Sequence, residues 1–225
     1  MKRLVLAAVA ACCGLVAIGA FPEAAYSTVY YNVTDLGFGS GGAPVINNNL
    51  QIAGNHVVAG KSQGLLWEGG VITNLGTLPG EQESSPYDIN DAGQIVGGFG
   101  AWMWDNGTMT DLGTLPGDVL SHASGINNSG QVVGYSFGVV VRDRAFIWQA
   151  GVMTDLGTLG YASSAYAINN SGQVVGMSRA TYDEPDLPIL WENGVMTTLD
   201  VIQGKAVAVD INDSGQAVGS GETAA

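Results

Sequence analysis

The residues of this chain best suited to chemistry are oxygen-bearing side chains grouped in short turns. "DINDSG", from Asp210 to Gly215, has side-chain oxygens at its first, third and fifth positions and glycine at the sixth, the opening of a calcium loop. The twelfth position of such a loop would be Gly221, which has no carboxylate to close the coordination shell. "DINDAG" places Ala92 at the fifth position, and "GINNSG" and "AINNSG" open on Gly125 and Ala167. A tight turn explains every copy and calcium does not, so no metal and no cofactor is expected.

A second set of candidates lies in segments of variable length: Glu81, Glu83, Asp118, His122, Arg142, Asp143, Arg144, Asp183, Glu184 and Asp186. Two carboxylates at a defined separation could hydrolyse a glycosidic bond, but spacing along the chain does not set that separation. His56 and His122 are the only histidines, and neither has the setting of a nucleophile's base. No residue is therefore assigned a catalytic role. His122, Arg142, Asp143, Arg144, Asp183, Glu184 and Asp186 are the candidates for meeting a ligand.

The elements that must position these groups are written several times over. "AINNSGQVVG" (167–176) is repeated as "GINNSGQVVG" from Gly125, "DINDAGQIVG" from Asp88, "DINDSGQAVG" from Asp210 and, loosely, "VINNNLQIAG" from Val45. Their isoleucines, Ile46, Ile89, Ile126, Ile168 and Ile211, are 43, 37, 42 and 43 residues apart. Between them recurs a second motif, such as "FIWQAGVMTDLGTL", whose tryptophans are Trp67, Trp104, Trp148 and Trp191. Each motif is a hairpin: Asn-Asn-Ser-Gly suits a turn closed by a left-handed glycine, and Asn106-Gly107 and Asn193-Gly194 are strong two-residue turn signals.

Two hairpins per forty residues make a four-stranded antiparallel unit, and no apolar pattern after residue 25 has helical period. Such a sheet cannot cover its own faces, so units must stack on one another. The expected fold is all-β: a β-propeller-like array of about five units, the last incomplete, with the four tryptophans in the core. "VYYNVTDLGF" (29–38) resembles the last strand of a unit, and the sequence stops inside the fifth, as a truncated product would. Tight turns fall on one edge of the array. Variable segments such as "YSFGVVVRDR" and "MSRATYDEPDLP" fall on the other, where recognition is expected.

Residues 1–25 read as a secretory signal peptide: Lys2 and Arg3 precede an apolar run of small residues that contains both cysteines, Cys12 and Cys13. The rest, 26–225, is expected to be a single β-repeat domain without thiols and, after signal cleavage, without a transmembrane segment. Beyond residue 20 there are five basic residues against twenty acidic ones, a net charge of −15. That charge repels phosphate backbones and argues against nucleic acid as a partner.

The stretch Arg144 to Ser178, "RAFIWQAGVMTDLGTLGYASSAYAINNSGQVVGMS", resembles the HAF-repeat family of probable extracellular proteins. The family unit runs His-Ala-Phe-Leu-Trp, then Gly-x-Met-x-Asp-Leu-Gly-Thr-Leu-Gly, then Ile-Asn-x-x-Gly-Gln-Val-Val-Gly. The resemblance covers residues 30 to 220 nearly continuously, although Arg144 stands where the naming histidine belongs. It implies secretion and repeated β structure but no particular reaction. The expectation is a secreted, non-catalytic binding or structural module meeting an extracellular glycan, protein or matrix component. The alternative is a propeller enzyme acting on extracellular polysaccharide.

Overall fold

The computed structural model describes residues 36, 38, 43–98, 100–138, 142–200 and 205–221. The expected signal peptide and residues 29–35 of the expected N-terminal strand lie outside them. Among the described residues all regular structure is β, in consecutive antiparallel meanders. The first unit holds β1 (Val45–Ile46), β2 (Ile52–Val58), β3 (Lys61–Glu68) and β4 (Val71–Gly76). The second holds β5 (Ser85–Ile89), β6 (Ile95–Gly98), β7 (Trp102–Asp105) and β8 (Thr108–Asp111). The third holds β9 (Leu120–Ile126), β10 (Val132–Phe137), β11 (Asp143–Gln149) and β12 (Val152–Asp155). The fourth holds β13 (Ala162–Ile168), β14 (Val174–Arg179), β15 (Leu187–Glu192) and β16 (Val195–Thr198). The fifth shows two strands, β17 (Ala206–Ile211) and β18 (Ala217–Gly221).

Each letter of the repeated motif has a physical task, and the third unit shows them all. Gly130, at φ 73°, completes the turn after β9 and donates its N–H to the Asn127 carbonyl at 3.0 Å. Asn127 accepts the N–H groups of Ser129 and Gln131, both at 3.0 Å, and donates to Gln131 Oε1 at 2.7 Å. Gln131 reaches across to Gln149, just before the second tight turn, so both turns share one edge. The two valines point to opposite faces: Val132 packs toward the second unit and Val133 toward the fourth.

The apolar core is accordingly split into clusters between neighbouring units. Leu75 and Leu78 of the first unit meet Trp102 and Trp104 of the second, and Leu112 and Leu115 of the second meet Phe146 and Trp148 of the third. Leu156 of the third meets Trp191 of the fourth. Leu36 and Phe38, the described residues of the N-terminal stretch, pack on Trp67 in the same manner. Trp104 and Trp148 are buried as expected, whereas Trp67 and Trp191 are only partly so. The most enclosed tryptophan is Trp102, which the repeat does not single out because the other units place Leu65, Phe146 or Ile189 there.

Polar bonds cross the same interfaces. Buried Ser84, Ser121 and Ser163 each accept an N–H from the preceding unit (Gly64, Ala101, Ala145) and donate back to a carbonyl of that unit. Among the described residues the outer faces of the first and fifth units are less covered than the faces between units. Ala53, Val96, Val133 and Val175 are fully enclosed by the next unit, but Val218 in the same position is 61% exposed. At the other end, Ile46 is 56% exposed, while its four counterparts are at most 8% exposed.

Candidate functional site

Openings lie at both ends of the first strand of each unit. At the tight-turn edge a cavity of about 490 Å³ is lined by the Ile-Asn-Asx stretches of all five units. A chain of amides runs around it: Asn47 donates to the Asn90 carbonyl, Asn90 to Asn127, Asn127 to Asn169 and Asn169 to Asn212, at 2.8–3.1 Å. One residue on, the N–H groups of Asn48, Asp91, Asn128 and Asn170 each donate to the side-chain oxygen of the following unit. The donors and acceptors of this edge are spent on one another, so its task is to hold neighbours in register. Hydrogen bonds from Asn48 and Asn170 hold Asp91 and Asp213 below the usual carboxylate range.

Asp88, just inside that edge, behaves oppositely. Its carboxylate accepts the N–H groups of Ile89 and Ile126 at 2.8 Å, yet burial pushes its pKa up to about 6. A folded-state pKa above the unfolded value means the native state holds the proton more tightly. Stability from this group is therefore full in acid and is lost as pH rises from about 4 to about 6, by at most about 3 kcal/mol. Asp88→Asn is expected to flatten that part of the pH profile in urea melts. Asp143, whose pKa is also raised, keeps the remainder of the slope.

The other opening is of different character. A cavity of about 320 Å³ is lined by Tyr87 of the second unit, His122, Ser124 and Tyr135 of the third, and Tyr166 of the fourth. Three of these residues are delivered by one device, a β-bulge in the first strand of the second, third and fourth units. Pairing with the second strand skips Tyr87, Ser124 and Tyr166 in turn, between Pro86 and Asp88, Ala123 and Gly125, and Ala165 and Ala167. The rings then assemble. His122 stacks on Tyr135 at 5.2 Å and 14°, the Phe137 ring lies 6.3 Å from Tyr135 and 6.4 Å from His122, and Tyr87 is tilted 48° against His122.

Gly98 makes room for them. The third and fourth units carry Tyr135 and Met177 at its position, and a Cβ there would fall 2.5 Å from His122 Nδ1 and 2.7 Å from Tyr87 Cε2. Burial lowers the pKa of His122, so the imidazole is neutral at pH 7, and burial also raises the phenols of Tyr135 and Tyr166. Asp143, opposite Phe137 across β10 and β11, accepts a hydrogen bond from Ser164 at 3.3 Å and is raised by burial. The mouth thus offers neutral aromatic faces, hydroxyls and a carboxylate.

The all-β meander and its unit-on-unit burial can be set beside solved structures at this point. No family model matches the sequence, and no curated protein matches it. TolB from Acinetobacter baumannii is similar over 73% of this chain, with TM-score 0.53 and 14% identity. The fold is propeller-like. The chain spans less than half of that TolB structure, 44% of its length. A mutant lectin from Aleuria aurantia in complex with Fucalpha1-6GlcNAc is more distant, with TM-score 0.41 and 12% identity over 79% of this chain and 69% of the lectin.

On this propeller-like array the candidate residues separate. His122 lines the aromatic mouth, and Asp143, outside the lining itself, is close enough to act electrostatically on His122, Tyr135 and Tyr166. Asp186 is buried nearby and held by Arg179 at 2.6 Å and Lys205 at 3.2 Å. Arg144 is a clamp: it binds Asp118 at 2.9 Å, Asp155 at 3.0 Å and the Pro116 carbonyl at 2.9 Å, tying the linker between the second and third units to β11. Arg142 lies 5.0 Å over the Tyr161 ring, which meets Tyr182 edge-on. Asp183 and Glu184 are exposed and make no hydrogen bond or ion pair with the described residues. Tyr87, Tyr135 and Tyr166 were missed from the sequence. Their signal was present, since Tyr87 and Tyr166 occupy a place held elsewhere by Pro44, Ser124 and Val209.

Proposed function

We propose that this protein is a non-catalytic binding module acting outside the cytoplasm, as the HAF-repeat resemblance implies, and that it binds a glycan at the aromatic mouth. One observation carries the reading: three consecutive units deliver aromatic rings to one open cavity of about 320 Å³. A pyranose presents an apolar C–H face that stacks on such rings, and a rim of hydroxyls that phenols, imidazole and carboxylate can bond. The scaffold holds the rings by pairing β5, β9 and β13 each to the second strand of its unit, and β10, which carries Tyr135, on both sides. The opposite opening lacks this chemistry, its amides being satisfied by each other.

The test is a glycan array followed by titration calorimetry on the best ligand. Gly98→Ala, which forces the His122 and Tyr87 rings apart without a strained backbone angle, is expected to weaken binding at least about tenfold, the loss of roughly one aromatic contact. Unchanged affinity in that variant would place the ligand elsewhere. Product formation from the bound glycan would instead favour a polysaccharide-active enzyme.

A further inference from the structure

The charges around the mouth do not balance, and this constrains the ligand. Asp186 is matched twice, by Arg179 and Lys205. Among the described residues Asp143 makes no close ion pair: its hydrogen-bond partner is the neutral hydroxyl of Ser164 at 3.3 Å, and His122 and Arg179 act on it only at longer range. It stands beside the parallel rings of His122, Tyr135 and Phe137 and opposite Phe137 in the strand register. A sugar seated on those rings strips further water from this carboxylate, and a neutral hydroxyl offsets that loss less well than a cation does. The aromatic faces are attractive to an ammonium as well. Acidic sugars are disfavoured by the same carboxylate and by a net charge of −13.

Resting on the glycan reading above, we propose that the preferred ligand is an amino sugar whose free, protonated amine meets Asp143 against the His122–Tyr135–Phe137 stack. The experiment is calorimetric titration of the protein at neutral pH with a glucosamine disaccharide and with its N-acetylated counterpart. The free amine is expected to bind about tenfold more tightly. Asp143→Asn is expected to erase that preference, bringing the two sugars to equal affinity in a protein that still melts cooperatively. A double variant, Asp183→Asn with Glu184→Gln, removes two exposed charges and is expected to keep the preference.

Equal or tighter binding of the N-acetylated sugar overturns the amino-sugar assignment and leaves the glycan site standing. A preference that survives Asp143→Asn, or that falls equally in the double variant, also overturns it, since bulk charge would then be the cause. Absence of binding to every sugar on the array would sink the glycan reading and this assignment together.

Discussion

Gly134→Ala is expected to prevent folding of the array around the third unit. The added Cβ would sit 1.8 Å from the carbonyl oxygen of His122 and 2.9 Å from its carbon, and backbone cannot swing aside as a side-chain tip can. The crowding comes from the bulge: Ser124 is the extra residue of β9, and pairing resumes with Gly134 against Ala123. The same closeness recurs at Gly97, Gly176 and Gly219, each about 2 Å from a carbonyl oxygen, 2.1, 2.0 and 2.0 Å respectively. The glycine ending every "QVVG" is therefore what permits the bulge, and the bulge is what aims Tyr87 and Tyr166 into the mouth. A loss of about 4 kcal/mol or more is expected, in the range reserved for core disruption. Circular dichroism and urea unfolding would check it. A variant melting cooperatively within about 1 kcal/mol of the parent would refute the bulge geometry. Gly219→Ala in the terminal unit should cost less, because repeat arrays are stabilised neighbour by neighbour.

Removal of the Asn127 side chain is the second large effect. Four hydrogen bonds meet on this one buried amide: two N–H groups of its own turn, Gln131 Oε1 and the carbonyl of Asn169 in the next unit. Asn127→Ala leaves those groups short of partners where water enters poorly, an expected cost of about 3 kcal/mol. Asn212 occupies the same place in the fifth unit but is exposed, and among the described residues its side chain bonds only within its own turn. Asn212→Ala is expected to cost under about 1 kcal/mol. Parallel urea melts of the two variants isolate the inter-unit contribution, and equal losses would mean that the amide chain adds nothing between units.

Much of the architecture was readable before any coordinates because its causes are local. Left-handed turns favour glycine and asparagine, and Asn106 (φ 47°), Gly107 (φ 88°) and Gly130 (φ 73°) adopt them, although Leu50, Ala59 and Ala150 do so too. Apolar residues on both faces of a short strand force stacking, and Val132 and Val133 are enclosed from opposite sides. What was hidden depended on register. No property of Tyr87 or Tyr166 as residue types marks them as bulged, and without the bulge their rings would point to the other face of the strand. Arg144, read from the sequence as a candidate for meeting a ligand, had its role as a clamp hidden for the converse reason. Its partners, Asp118 and Asp155, belong to a linker and to a different strand, and only folding brings them together. The asparagines looked like turn formers, which they are, but their reach to the next unit is a distance no single-unit pattern contains.

The recurrence of one junction along the described units bears on how such a chain can change over generations. Val218 offers the following position the same surface that Val175 offers the fifth unit, and Ile46 offers its back as Ile211 does. The junctions reuse one fitting: Ala53 clusters with Ile89, Val96 with Ile126, Val133 with Ile168 and Val175 with Ile211. Unequal exchange between gene copies could add or delete one whole forty-residue segment and still leave every remaining junction well fitted, so length can drift while the stitching stays constant. Tyr87, Tyr135 and Tyr166 sit in three particular copies, and a duplication would carry them along or dilute them. Ligand preference can then be reshuffled by copy number alone, with no point mutation in the scaffold.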